Sequence, residues 1–329
     1  MNRVGILMLL ALAGLWPRAA FAADAADCSL KMVNTVPITM AYGGARPLVS
    51  VKVNGTELKF LLDTGGYATQ ISASAAEDLK LPIGESGGTL LDLYGNAYNS
   101  AVKVETFTLG RLEDRNATLQ VVGRPAARPT TGNSNTTEHR DIVGILAADY
   151  MGKYDIELDF AGGKMNYFSS DHCEGKVVYW PAAAIAVVPM RFVDHHLHLD
   201  VMLDGHPFRA MIDTGAPGTV LFTSEAKRVF GITAEDGDKT FERVFQKLAF
   251  EGLEVVNPHI RIIPDKIGSK DPNNGFVTGT RTQKVDDRDA SAPTMLIGMN
   301  ILSKLHLYIA FRENKIYITP ASASQAAAK

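Results

Sequence analysis

Residues 60–65 read Phe60-Leu61-Leu62-Asp63-Thr64-Gly65, a short apolar run that ends in an acid, a hydroxyl and a glycine. The pattern returns as Ala210-Met211-Ile212-Asp213-Thr214-Gly215, so 213 minus 63 sets an offset of 150 residues. The lead-ins match as well, Val51-Lys52-Val53-Asn54-Gly55 before the first copy and Val201-Met202-Leu203-Asp204-Gly205 before the second. In both copies the aspartate falls eight residues after the glycine of the turn. Alternating apolar residues around an Asn-Gly or Asp-Gly pair predict a β-hairpin whose second strand delivers the acid. A repeat at this period governs the reading of the whole chain.

The three residues at the strand end have separate uses. Glycine permits a tight turn and close backbone approach, so its N–H can reach the neighbouring carboxylate. Threonine carries a hydroxyl able to bond a backbone partner across a symmetry axis. A carboxylate at the end of a buried apolar strand is costly unless it is paired. Two such ends facing each other would meet that cost with two carboxylates sharing one proton.

The 329-residue chain has room for two domains with their own cores. Its 46% hydrophobic and 21% charged residues describe a folded globular protein. A net charge of -3 gives no electrostatic case for nucleic acid or an anionic membrane as partner. The N-terminus reads as a signal peptide over residues 1–22: Arg3, an apolar stretch from Ile6 to Trp16, then Ala20-Phe21-Ala22 as cleavage site. That stretch is short for a membrane span, and no later one is long enough. The two cysteines, Cys28 and Cys173, leave two readings, one disulfide in an exported protein or two unrelated thiols. Cys28 lacks the apolar lipobox that lipidation would require.

The remainder is β-rich. Pro37 places the Met32 to Ala41 segment at a sheet edge, and Ser74 to Leu79 has the pattern of a short capped helix. Residues 82–109 hold strands broken by Gly87-Gly88 and Tyr94-Gly95-Asn96, read either as a hairpin over the acid with Tyr94 near its tip or as an ordinary surface hairpin. Arg124 to Arg140 and Asp265 to Pro293 have loop or insertion composition, the latter with the charged run Asp286-Asp287-Arg288-Asp289. A second echo follows. Aligning Ile145-Leu146-Ala147 with Leu296-Ile297-Gly298 also aligns Asp149 with Asn300 and Phe160 with Phe311, at an offset of 151. Each half then closes on a strand pair, 154–168 and 306–319.

Apolar-apolar-Asp-Thr-Gly, with apolar-apolar-Gly before a short helix some 80 residues later, resembles the lobe of an aspartic peptidase. Two such units in one chain resemble a retropepsin-like dimer fused into a pepsin-like plan. The resemblance covers about residues 45–168 and 190–320. It implies a mainly β fold: two homologous acid-protease-type β-barrel lobes related by a pseudo-twofold axis, with a few short helices. The expected division is signal peptide 1–22, N-terminal extension 23–44, N-terminal lobe 45–175, linker 176–189, C-terminal lobe 190–320 and a disordered tail 321–329. Asp63 and Asp213 are then the catalytic pair, supported by Thr64, Gly65, Thr214 and Gly215, with Tyr94 and Gly95 as candidate substrate contacts. The implied chemistry needs no metal and no cofactor. The implied partner is an extended protein or peptide substrate, with no membrane span after signal removal and a monomeric pseudo-dimer as the working form.

Two departures stand out: Ala147 where the family has glycine, and no clear glycine-rich flap between Ile232 and Phe250. Three functions follow: an exported endopeptidase in the periplasm or secreted, a peptide-binding protein of the same fold that turns over poorly, or an envelope scaffold that captures extended segments. His195-His196-Leu197-His198 reads as a solvated strand entering the second lobe. No cysteine or matched acid cluster nearby completes a zinc pattern.

Overall fold

The computed structural model describes residues 28–92, 97–123, 142–233, 240–265, 280–282 and 293–321. The signal-like segment, the 124–141 loop, Tyr94, Gly95, the Asp286–Asp289 run and the tail beyond Ala321 lie outside the described residues.

Both predicted hairpins form, in the same register. Arg46–Val53 pairs with Thr56–Asp63 from Leu48 opposite Leu61 to Val53 opposite Thr56. His196–Leu203 pairs with His206–Ile212 from His198 opposite Met211 to Leu203 opposite His206, each partner 150 residues on. The turn residues explain this. Asn54 and Gly55 have φ of 48° and 83°, and Asp204 and Gly205 have 46° and 82°, the two left-handed positions that match the twist of a two-residue hairpin. The first strand of each hairpin even repeats the same alternation of buried and exposed residues along its length.

Each acid strand is buried between neighbours. Thr56–Asp63 runs parallel to Ile142–Ala147, which pairs antiparallel with Gln70–Ser72. His206–Ile212 runs parallel to Met295–Ile297, which pairs antiparallel with Val220–Phe222. Strands covered on both faces are continuously apolar rather than alternating, as 60–62 and 210–212 are. A short helix follows in each half, Ala73–Asp78 capped by the Ser72 hydroxyl and Thr223–Phe230.

The halves join through a shared sheet. Its strands lie in the order Met32–Pro37, Lys164–Phe168, Asp155–Asp159, Leu305–Ala310, Lys315–Pro320, Ala186–Val193. The closing hairpins of the two halves thus sit side by side, Ile156 opposite Ile309. Met32–Pro37, from the expected N-terminal extension, is an edge strand of this sheet. Cys28 and Cys173 form a disulfide with Cα atoms 4.8 Å apart, fastening that edge to the chain between the halves. One apolar core cluster runs through both halves.

Ile83–Asp92 and Ala97–Leu109 form the expected hairpin, which bears an unexpected neighbour: Thr280–Thr282, from the second half's insertion, pairs with Ile83–Asp92. In the second half, Phe241–Val244 and Lys247–Phe250 do not pair with each other; the first joins His259–Ile263 and the second joins Leu253–Val256.

Candidate active site

The two Asp-Thr-Gly turns meet at the pseudo-twofold axis. Thr64 N–H donates to Thr214 Oγ1 at 3.0 Å, and Thr214 N–H donates to Thr64 Oγ1 at 3.1 Å. Each hydroxyl then donates onward into the opposite strand, Thr64 to Ile212 O at 2.8 Å and Thr214 to Leu62 O at 2.7 Å. Both threonines are fully buried, so these four bonds satisfy groups that would otherwise be orphaned.

This lock brings the acids together. Asp63 and Asp213 are wholly buried. Asp63 Oδ1 accepts from Gly65 N–H and Asp213 Oδ1 from Ala216 N–H, both at 2.9 Å. A Cβ placed on Gly65 would collide with the Asp213 carboxyl, and one on Gly215 with the Asp63 carboxyl. Each carboxyl therefore rests on the other half's glycine, and no larger residue fits at either position. Oδ2 of each acid has no partner outside the pair. Burial, then the charge of Asp213 and the hydrogen bond with it, push Asp63 well above the usual carboxylate range. Burial also raises Asp213, opposed by its bonds to Asp63, Ala216 and Gly215. Two buried carboxyls in contact hold one proton between them, and the proton belongs to the pair rather than to one residue.

Another repeat-related pair of contacts supports each turn. Asp149 accepts from Thr69 N–H at 2.9 Å and from Thr69 Oγ1 at 2.6 Å. Asn300 Oδ1 accepts from Thr219 N–H at 2.8 Å and from Thr219 Oγ1 at 2.7 Å. The threonine hydroxyls receive Ala147 N–H and Gly298 N–H, both at 3.1 Å. Sequence alignment of the halves pairs Asp149 with Asn300 but assigns them no task; their task is to fix the strand beneath each acid.

Arg46 is the functional neighbour that sequence reading missed. Its Nη1 donates to Gly215 O at 2.8 Å, and its charge pulls both acids downward against burial. Its signal lay only in position, at the start of the first hairpin. The histidine cluster also needs correction. His196–Leu203 is a strand, but His198 is buried and His195 Nδ1 lies 2.8 Å from Tyr67 O, on the first half's acid loop. His195 and His196 are half-buried and reach the first half's acid loop, because the strand begins against that loop.

Among the described residues, Glu157, Asp159 and His306 bring possible metal-ligating atoms within 4.8 Å of one another. Glu157 is already satisfied by His306 at 2.7 Å, Asn166 at 2.7 Å and Tyr179 at 2.5 Å, and Asp159 lies 3.7 Å from Lys164. Glu157 thus has its hydrogen-bond partners within the protein. A cavity of about 360 Å³ opens elsewhere, bounded by Val36, Leu48, Lys52, Glu57 and Thr108. Neither acid lines it.

The sequence profile of the family described as aspartyl protease matches residues 49–150 and 199–301, one match on each half. The chain belongs to the aspartyl protease family. Each matched segment holds one Asp-Thr-Gly turn. No curated protein matches the sequence. Among solved structures, aspartic proteinase from Irpex lacteus superposes with a TM-score of 0.47 at 13% identity, covering 89% of this chain and 98% of that one. Basic 7S globulin from soybean gives 0.46 at 8% identity, covering 92% and 98%. Conglutin gamma from lupine seeds gives 0.47 at 8%, covering 88% and 95%. The two lobes are mainly β with few helices. Among the described residues no helix is long and apolar enough to cross a membrane.

Proposed function

We propose that the protein is an exported aspartic endopeptidase in which Asp63 and Asp213 activate one water between them. The observation that carries this reading is the buried acid pair, each carboxyl seated on the other lobe's glycine with one oxygen left for its partner or a reactant. With one proton on the pair, the ionised carboxyl serves as general base toward water. The protonated one donates to the scissile carbonyl and then supports departure of the amine. Thr64 and Thr214 hold the geometry, while the Gly65 and Ala216 N–H groups keep the Oδ1 atoms turned away from the reactant. An extended peptide would lie between the lobes, held by strand-like backbone bonds.

Export to the periplasm or the exterior is supported by the signal-like N-terminus and by the Cys28–Cys173 disulfide, a bond that persists in oxidising compartments. Ala147 and the unclear second flap are the features that favour a protein that binds without turnover. Gly66 absorbs the departure at Ala147, since it offers a hydrogen where the second lobe has the methyl of Ala216.

The test is digestion of a peptide library and of denatured protein by the mature chain, across acid to neutral pH. The expected result is cleavage by the wild type, blocked by a peptide bearing a hydroxyl mimic of the tetrahedral state. Asp63→Asn and Asp213→Asn should each lose at least about 10³-fold in rate. Cleavage that survives both substitutions would overturn the site; binding without cleavage by a folded wild type would overturn the activity.

A further inference from the structure

The Gly215 carbonyl accepts from Arg46, and the Gly65 carbonyl lies 3.2 Å from His196 Nε2. Since 196 minus 46 and 215 minus 65 both equal 150, the contacts are mates under the same repeat that relates the acids. Arg46 and His196 each open the first strand of their hairpin, and each reaches across to the glycine of the opposite Asp-Thr-Gly. Geometry is conserved between the halves while chemistry is not. A guanidinium is charged at every working pH, whereas an imidazole changes charge between about pH 5 and 8. Facing a carbonyl, Nε2 must carry a proton, in the Nε2–H tautomer or the imidazolium.

We propose that His196 is a positioning residue for the first acid loop, the titratable counterpart of Arg46, and that its charge is coupled to that of the Asp63–Asp213 pair. The coupling itself rests on geometry; its effect on turnover rests on the peptidase reading above. With His196 protonated, both acid loops are held by cations from the opposite lobe. Once it is neutral, only the Gly215 side keeps one. Gly65, whose carbonyl His196 meets, also gives its N–H to Asp63 Oδ1, so the imidazolium stands one residue behind the buried pair. A positive charge there favours ionised carboxylate, and by reciprocity an ionised pair favours protonated His196.

Among the described residues, other titratable groups also stand near His196. His195 points its Nδ1 at Tyr67 O and acts on Asp149. The Tyr67 ring lies 6.4 Å from His196 and the His198 ring 6.2 Å away. Burial, with the charges of His196, Arg191 and Arg209 set against Asp194, lowers His198 to about 4.

The experiment is an NMR titration of isotopically labelled histidines in the mature chain. His196 is assigned by the signal lost in His196→Gln, and the wild type is compared with Asp63→Asn/Asp213→Asn. Removing the pair's charge should lower the His196 midpoint by about half a pH unit or more, while His259, on an exposed pair with Glu242, stays put. An unmoved His196 midpoint would overturn the proposal. Asp213→Asn alone keeps one carboxylate and is the control, its His196 midpoint staying near that of the wild type; if the double variant does not fold, the kcat/KM profiles of the His196 variants carry the test. Where peptides are cleaved, His196→Arg should erase the histidine-range ionisation from the kcat/KM profile, and His196→Gln should follow the wild type's high-pH limb throughout. Profiles identical in all three proteins would also overturn it. A folded protein that cleaves nothing sinks the peptidase reading and leaves the NMR arm intact.

Discussion

Ala147 fits beneath the first acid because Gly66 faces it: a Cβ on Gly66 would lie 3.1 Å from the Ala147 methyl. In the second lobe the sizes are exchanged, with Ala216 at the turn and Gly298 below, where a Cβ would strike the Gly218 backbone and the Ala216 carbonyl. The two lobes solve one packing problem with opposite assignments. Gly66→Ala should therefore destabilise by about 1–3 kcal/mol through overpacking, and Gly66→Ala/Ala147→Gly should recover most of that loss. Urea unfolding midpoints check it. A double variant no better than the single one would show that the pair is not coupled.

Thr64→Val deletes the hydroxyl that accepts from Thr214 N–H and donates to Ile212 O, leaving two buried groups unpaired. At about 1–3 kcal/mol for each orphaned group, the expected loss is larger than for a surface change, and Thr64→Ser should retain most of the stability. Thermal unfolding of both variants decides between a polar lock and simple packing; equal losses for Val and Ser would refute the lock.

The acid pair makes stability depend on pH in a fixed direction. Burial raises both folded-state acids above their unfolded values. Their favourable contribution is complete below the ordinary aspartate range, about pH 3.9, and is lost as pH rises through the raised value. Asp63→Asn removes the Asp63 part of that liability and leaves the burial of Asp213. Its melting temperature relative to wild type should rise with pH. A gap that shrinks as pH rises would contradict the raised acids.

The Cys28–Cys173 bond closes a sequence separation of 145 residues. Loop-closure entropy for that length amounts to roughly 5 kcal/mol, an upper figure because unfolded chains keep residual structure. Cys28→Ser/Cys173→Ser should lower the denaturant midpoint accordingly, and reductant should do the same to wild type while leaving the variant unchanged. A midpoint insensitive to both would mean the edge strand Met32–Pro37 holds without its tether.

Sequence alone carried the fold because the signals were local and doubled. Asn54-Gly55 and Asp204-Gly205 set hairpin register, and the common offset of Asp63 and Asp213 set the symmetry. What it did not carry were contacts between the lobes. Arg46 on Gly215, and His195 and His196 on the first acid loop, depend on how two distant strands face each other, which no spacing within either one specifies. The exchange of Gly66 with Ala216 was visible letter by letter, yet its meaning needed the neighbour below. Likewise nothing in Thr280–Thr282 marks it as a partner for a hairpin almost two hundred positions earlier.

The most direct measurement is an infrared pH titration of the carboxyl groups, wild type minus Asp63→Asn/Asp213→Asn. Two acids sharing one proton predict a single protonated carboxyl that persists well above the ordinary aspartate range and vanishes in the double variant. Two carboxyls that both ionise in the ordinary range, with no difference signal above it, would contradict the account.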